Sequence, residues 1–238
     1  KGYGHALLVY YPLCLLYAVI FFPLYAFLAG GKLGVRMMTL TWNHENELAS
    51  PNVVPGGGGD IWPCAPNTET GLKEKGFEFL AEMERLHLIA DVSHLSDKGF
   101  WDIVEHSTRP FAASHSNCRA LAPHCRNLTD EMIRALANKG GLVGLNYCSG
   151  FLDNQPEEKL CRSTTALMAK HAAHFKQVGG IEIIGLGSDF DGIGGKLELS
   201  DCSKMPLLAD ALRKEGFTED EVEAIFFRNA QRFFENNL

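Results

Sequence analysis

The sequence predicts an α/β fold of TIM-barrel type, (β/α)8-like and incomplete at its N-terminus, and three observations lead to it. Short apolar runs rich in β-formers recur after helix-like segments from residue 32 onward, the alternation that builds a parallel sheet covered by helices. Polar residues stand at the C-terminal ends of four of these runs, Trp42 with His44, His94, His115 and Asp189, and a barrel gathers its active site at that rim from several strands. No GxGxxG follows a first strand and no Walker-type GxxxxGK(S/T) occurs, so the dinucleotide and P-loop alternatives lose their best support.

Taken in order, residues 35–41 form the first strand candidate. A long loop from Asn43 to Thr70 follows, in which Pro51, Pro55, Gly56 to Gly59, Pro63 and Pro66 forbid regular structure. A loop of that length is more often a functional rim or lid than a spacer. Leu72, Phe77, Leu80, Met83 and Leu86 place an apolar stripe on a helix. A strand over 88–93, a helix over 96–107 and a short strand over 111–114 come next. Thr129 caps a helix whose first turn holds Asp130 and Glu131. A strand over 142–147, a helix over 163–177 and a strand over 183–188 continue the alternation. Thr218 to Glu221 matches a capping box, and Val222, Ile225, Phe226, Ala230 and Phe233 give the last helix its apolar face.

The chain divides into an atypical hydrophobic segment, 1–31, and a partial barrel domain, 32–238. Residues 6–29 carry no charge over 24 positions, long enough to cross a bilayer. Pro12 and Pro23 interrupt that stretch, and on its early side only Lys1 can serve as a positive flank. A membrane span or anchor, a segment replacing ordinary fold sequence, and a signal peptide all stay open. Membrane association or secretion is expected if the segment is genuine, a cytoplasmic location if it is not.

A chain of 238 residues with 46% hydrophobic content buries one sizeable core. Its net charge of -7 and the lack of any dense Lys/Arg run exclude nucleic acid as a natural partner. Seven cysteines without CxxC spacing argue against a structural zinc knot. Reduced thiols and one or two disulfides are both open. Asn127-Leu128-Thr129 fits a glycosylation acceptor, which matters only for a secreted chain.

Asp91-Val92-Ser93-His94 and Ala113-Ser114-His115-Ser116 end neighbouring strands and deliver an imidazole each to one rim, where two borderline ligands can converge on Zn2+. Asp189, just past the strand over 183–188, points into the barrel mouth and can take a proton from an activated water. Asp191 reads as the turn-capping carboxylate of the same loop. Arg126 can hold a substrate carboxylate bidentately. His44 and Trp42 open the long loop and are candidate substrate contacts. His124, His171 and His174 lack a strand-end setting, and the last two read as the solvent side of a helix.

The ordered segments 40–46 (LTWNHEN), 91–97 (DVSHLSD), 114–121 (SHSNCRAL), 126–131 (RNLTDE) and 185–192 (GLGSDFDG) together resemble the membrane, or renal, dipeptidase family of zinc peptidases, over about residues 32–238. The resemblance implies a barrel, two zinc ions bridged by a glutamate and a hydroxide, and hydrolysis of dipeptides. It implies that His94 and His115 ligate one zinc, that Arg126 binds the substrate carboxylate, and that Asp189 handles the proton around the tetrahedral intermediate. A homodimer is left open. The family's His-x-Asp pair has no counterpart here, Gly2 stands near the bridging glutamate's place, and Trp42 stands where some members carry histidine. At most one weakly held zinc is therefore expected, with doubtful activity for this chain alone. A non-catalytic barrel remnant acting as a binding or membrane-associated protein is the alternative, and a different amidohydrolase-like enzyme a third reading.

Overall fold

Five short strands lie side by side in a parallel sheet whose spatial order equals their sequence order, β1 (Met37–Thr39), β2 (Ile89–Asp91), β3 (Ala112–Ala113), β4 (Leu142–Leu145) and β5 (Ile184–Leu186). The computed structural model describes residues 34–53 and 64–238. The segment 6–29 and the centre of the Gly/Pro loop lie outside the described residues. A doubly wound sheet reverses its strand order at a switch point. Among the described residues no reversal occurs, and each crossover steps to the next strand, as in a barrel wall.

The strands are shorter than the apolar runs suggest because only their middles are paired. Register runs Thr39 to Asp91, Asp91 to Ala112, Ala113 to Val143, and Leu145 to Leu186. Residues of β2, β3 and β4 are buried throughout, which fits a sheet covered on both faces.

Helices α1 (Glu74–Arg85), α2 (Asp97–His106) and α3 (Asp130–Asn138) link the first four strands. Ser96 caps α2 through Gly99 N–H, and Thr129 caps α3 through Met132 N–H, each satisfying one donor that a helix start leaves unpaired. A single turn, α4 (Ser149–Leu152), follows β4, and α5 (Thr165–Gly179) leads to β5. The apolar face of α1 is carried by Leu80 and Met83.

After β5 the structure adds a helix that the sequence pattern leaves unassigned, α6 (Met205–Glu215), which carries Pro206 in its first turn and is followed by Gly216 in the left-handed region. Pro at the first turn and Gly past the last are the ordinary helix boundaries. The final segment bears out the capping box at Thr218 and Glu221 and runs as α7 (Glu219–Glu223), a π-turn over Ala224–Arg228, and α8 (Asn229–Asn237).

His171 does not face solvent as its helix pattern suggests. It lies inside, 1% exposed, with Nδ1 accepting from Cys118 N–H and Nε2–H donating to Leu152 carbonyl. Helix α5 packs against both α3 and α6, so its buried arc is wider than a one-sided stripe. His174 is half-buried and meets Asp130 at 2.7 Å.

The long loop is anchored at both described ends by bridges Ala49 to Leu72, Pro51 to Leu95 and Val53 to Pro66. A disulfide joins Cys64 to Cys125, while Cys118, Cys148, Cys161 and Cys202 are free thiols. Asn127, the glycosylation candidate, is 1% exposed, and its amide donates to Ala122 and Phe151 carbonyls. A sugar has no access to it in the folded state. Among the described residues no helix is long and apolar enough to cross a membrane.

Candidate active site

The C-terminal ends of the five strands open into a cavity of about 900 Å3 whose wall includes Trp42, Asn43, His94, His115, Arg126 and Asp189. Five of the six residues singled out from sequence are therefore gathered at one rim. His44 is exposed, with its ring 6.1 Å from that of Trp42, and stands outside the cavity wall. Trp42 is exposed on the rim with its ring 6.2 Å from that of His94.

The two imidazoles converge. His94 sits three residues past β2 and His115 two past β3, and their Nε2 atoms are 2.9 Å apart. What fixes them is the chemistry behind each ring. Nδ1–H of His94 donates to Asn43 Oδ1 at 2.9 Å. Nδ1 of His115 lies 2.6 Å from Ser114 Oγ, and Ser114 spends its hydroxyl proton on Asp91 Oδ2, also at 2.6 Å. Ser114 Oγ must therefore accept from His115 Nδ1–H. Both Nε2 atoms are left as lone pairs facing one point.

Asp91 is the anchor of this arrangement. Its carboxylate accepts from the hydroxyls of Thr39, Ser93 and Ser114 and from the N–H groups of Ser93 and Ser114, and the residue is 4% exposed. Five donors hold a buried charge in place. Ser93 Oγ in turn accepts from His115 N–H at 2.9 Å. Gly144 and Gly187 let the backbones close around this point, since a Cβ at either position would overlap the Ser114 carbonyl oxygen.

Burial and the neighbouring Arg126 hold His94 far below the usual imidazole range, and the same causes lower His115. Both shifts favour the neutral ring, the state in which imidazole binds a metal. Burial also pulls Arg126 down to about 10, offset by Asp91 and Asp189, so its guanidinium remains a cation at neutral pH. Arg126 Nη2 lies 3.1 Å from His94 Nε2 and 3.4 Å from His115 carbonyl, and the guanidinium stands 5.4 Å from the centre of the Phe151 ring.

Asp189 has φ of 59°, unusual for a residue with a side chain. Its carbonyl accepts from Gly192 and Ile193 N–H, closing the turn that the sequence reading assigned to the Asp191 carboxylate. The Asp189 Oδ2 atom accepts from Asn146 Nδ2 at 3.3 Å.

Two imidazoles with converging lone pairs fit two positions of a zinc coordination sphere, which in proteins takes three or four protein ligands. Among the described residues the one cluster of three His, Cys, Asp or Glu ligand atoms within 4.8 Å of one another is Cys64, His124 and Cys125, whose two sulfurs form the disulfide. Asn43, Asp91, Ser114 and Asn146 are the site residues that the sequence reading did not single out. The repeated Ser-His dipeptides, 93–94 and 114–115, are the sequence signal that points to them.

A sequence model described as membrane dipeptidase, peptidase family M19, matches residues 28–237. The chain is 35% identical over 203 residues to an uncharacterized Klebsiella pneumoniae protein from the region 5' of pqqA, covering 85% of this chain and 72% of that one. It is 34% identical to an uncharacterized dipeptidase of Schizosaccharomyces pombe, covering 84% of this chain and 46% of the yeast protein. Among solved structures, a Rhodobacter sphaeroides metallo peptidase liganded with a phosphinate mimic of the dipeptide L-Ala-D-Ala is similar at a TM-score of 0.79 and 29% identity, over 91% of this chain and 59% of that one. The chain thus spans about half of the yeast relative and three fifths of the solved structure.

Proposed function

We propose, from the premise that the chain belongs to the membrane dipeptidase family, peptidase family M19, that its cavity takes a dipeptide and serves zinc-dependent hydrolysis of the single peptide bond. The observation that carries this reading is the 2.9 Å approach of His94 Nε2 to His115 Nε2, with both second nitrogens committed to donors' work behind the rings. Such back-side partners set the tautomer of metal-ligating histidines. His94 and His115 would hold the ion. Zinc bound there supplies Lewis acidity and a water that ionises near neutral pH.

The remaining work falls to the chain's own groups. Arg126, buried and cationic, pairs with the free C-terminal carboxylate of the substrate and sets its direction in the cavity. Asp189, oriented by Asn146, takes a proton at a carboxylate oxygen and passes it to the leaving amine. Trp42 and Phe151 supply apolar parts of the wall. The dipeptide mimic bound by the Rhodobacter sphaeroides relative supports a substrate of this size.

A second reading, a barrel that binds without hydrolysing, is favoured by one observation. Arg126 Nη2 donates to His94 Nε2, satisfying the lone pair that a metal would use. Metal analysis of the purified chain separates the two. Zinc retained through dialysis, together with release of free amino acids from L-Ala-D-Ala, supports the peptidase. A chain that binds the phosphinate mimic but neither retains zinc nor releases product is the non-catalytic barrel.

A further inference from the structure

Three buried side-chain atoms among the described residues have no hydrogen-bond partner within the protein, Asn52 Oδ1, Ser116 Oγ and Arg126 Nη1. All three residues contribute to the wall of one small cavity, which is also lined by the apolar Val92, Leu95, Phe100 and Leu128 and by the ion-paired Asp97 and Arg119. The coincidence is informative, because leaving a buried polar group without a partner is costly, and such atoms are few in a native protein.

Arg126 Nη1 is out of solvent's reach, although Arg126 also borders the large active-site cavity. This nitrogen therefore does not face the substrate space; Nη2, which meets His94, is on that side. The free volume of the small cavity is about 10 Å3, the size of roughly one water molecule. Its chemistry narrows the occupant further. The three orphans are one donor, the guanidinium N–H, one pure acceptor, the amide oxygen, and a hydroxyl that can act either way. The Asp97 carboxylate and the Arg119 guanidinium in the wall already pair with each other, so a cation is repelled by Arg126 and an anion by Asn52 Oδ1. A water accepts from Arg126, donates to Asn52, and exchanges one hydrogen bond with Ser116, which satisfies every orphan.

We propose that this cavity is a site for a single structural water that holds Arg126 from behind, making Asn52 and Ser116 positioning residues for the guanidinium. Asn52 belongs to the rim loop, its N–H donating to His94 carbonyl and its carbonyl accepting from Asn67 N–H. Ser116 follows His115, its N–H donating to Gly144 carbonyl. The water thus connects the loop, the second histidine strand and the arginine.

The occupancy of the site stands apart from the peptidase reading, while its consequence for substrate binding rests on it, so the test has two arms. A crystal structure of the unaltered chain at a resolution that shows ordered water is expected to place one water oxygen within hydrogen-bond distance of all three atoms. An empty cavity, or Arg126 Nη1 bonded directly to Asn52 or Ser116, overturns the proposal. The second arm compares Ser116→Ala and Ser116→Thr for affinity toward the phosphinate dipeptide mimic and for zinc content. Ser116→Ala is expected to weaken the mimic several-fold with zinc content unchanged, and Ser116→Thr to restore much of the affinity. Equal affinities for both variants and the unaltered chain overturn the positioning role, whatever the density shows. Binding of zinc but not of the mimic by the unaltered chain would instead count against the peptidase reading.

Discussion

Asn43 holds His94 from behind, its Oδ1 accepting from His94 Nδ1 at 2.9 Å, so that Nε2 is left pointing at His115. The residue lies in the loop just after β1, while His94 follows β2, and the bond ties two strand ends together. Replacing Asn43 with Ala frees the ring to rotate and to change tautomer. Zinc affinity, read by competition against a chromophoric chelator, is expected to fall about 10–100-fold. An unchanged affinity would show that the ring is held by packing alone.

Asp189 is expected to matter to turnover and not to metal retention. In Asp189→Asn the hydrogen bond from Asn146 can survive through the remaining oxygen, while the proton-accepting oxygen pair is lost. Turnover of a dipeptide is expected to drop by about 100- to 10,000-fold, with zinc content close to that of the unaltered chain. Loss of zinc in parallel with turnover would assign Asp189 to the metal instead.

His171 sets a pH limit on stability. Burial pushes its imidazole down to about 4, and protonation would set a second N–H against the Cys118 N–H that Nδ1 now accepts. In the unfolded chain the ring titrates near its ordinary 6.5. Between those values the unfolded state binds the proton that the folded state refuses, so this contribution is complete above about 6.5 and lost as pH falls toward 4. The loss is on the order of 3 kcal/mol, measurable as urea midpoints across that range. His171→Gln is expected to flatten this part of the profile; the same slope in the variant would assign it to other groups.

The Cys64–Cys125 disulfide closes a loop with a sequence separation of 61 residues. By chain entropy such a closure is worth about 4 kcal/mol, and engineered cases often give less. Reduction, or Cys64→Ser, is expected to lower the thermal midpoint and to loosen the rim loop, seen as faster amide exchange around Asn52 and Asn67. Exchange that is unchanged there would place the rim's stability in its backbone bridges.

Gly187 and Gly144 both lie against the carbonyl of Ser114, the residue that fixes His115. The overlap in Gly187→Ala is with backbone, which cannot swing aside. A loss of about 1–3 kcal/mol in stability is expected from forced overpacking, together with weakened zinc binding through displacement of His115. A variant with both properties intact would mean that the strand ends shift freely.

How much of this was legible in the sequence depends on whether a residue's role is local. The strand-end histidines could be read because a short apolar run followed by Ser-His announces its own position. Asp91 stood in the same motif, yet its work is done through Ser114, a neighbour only after β2 and β3 pair, and pairing is not written in either strand alone. A helix pattern gives the angle between residues and not the number of neighbours, and so it points both His171 and His174 toward solvent. With α3 on one side of α5 and α6 on the other, the buried arc takes in His171. Helix α6 itself escaped notice, its apolar Leu208, Ala209 and Leu212 being embedded among charged residues. The partner of Cys64 could not be read either, since nothing in the intervening sequence says which thiol will be close.

The most direct measurement is an anomalous difference map at the zinc absorption edge, from crystals grown with zinc. A peak about 2.0–2.1 Å from both His94 Nε2 and His115 Nε2, inside the cavity shared with Arg126 and Asp189, is the expected result. No peak there, with Arg126 still donating to His94, would contradict a metal centre at these two histidines.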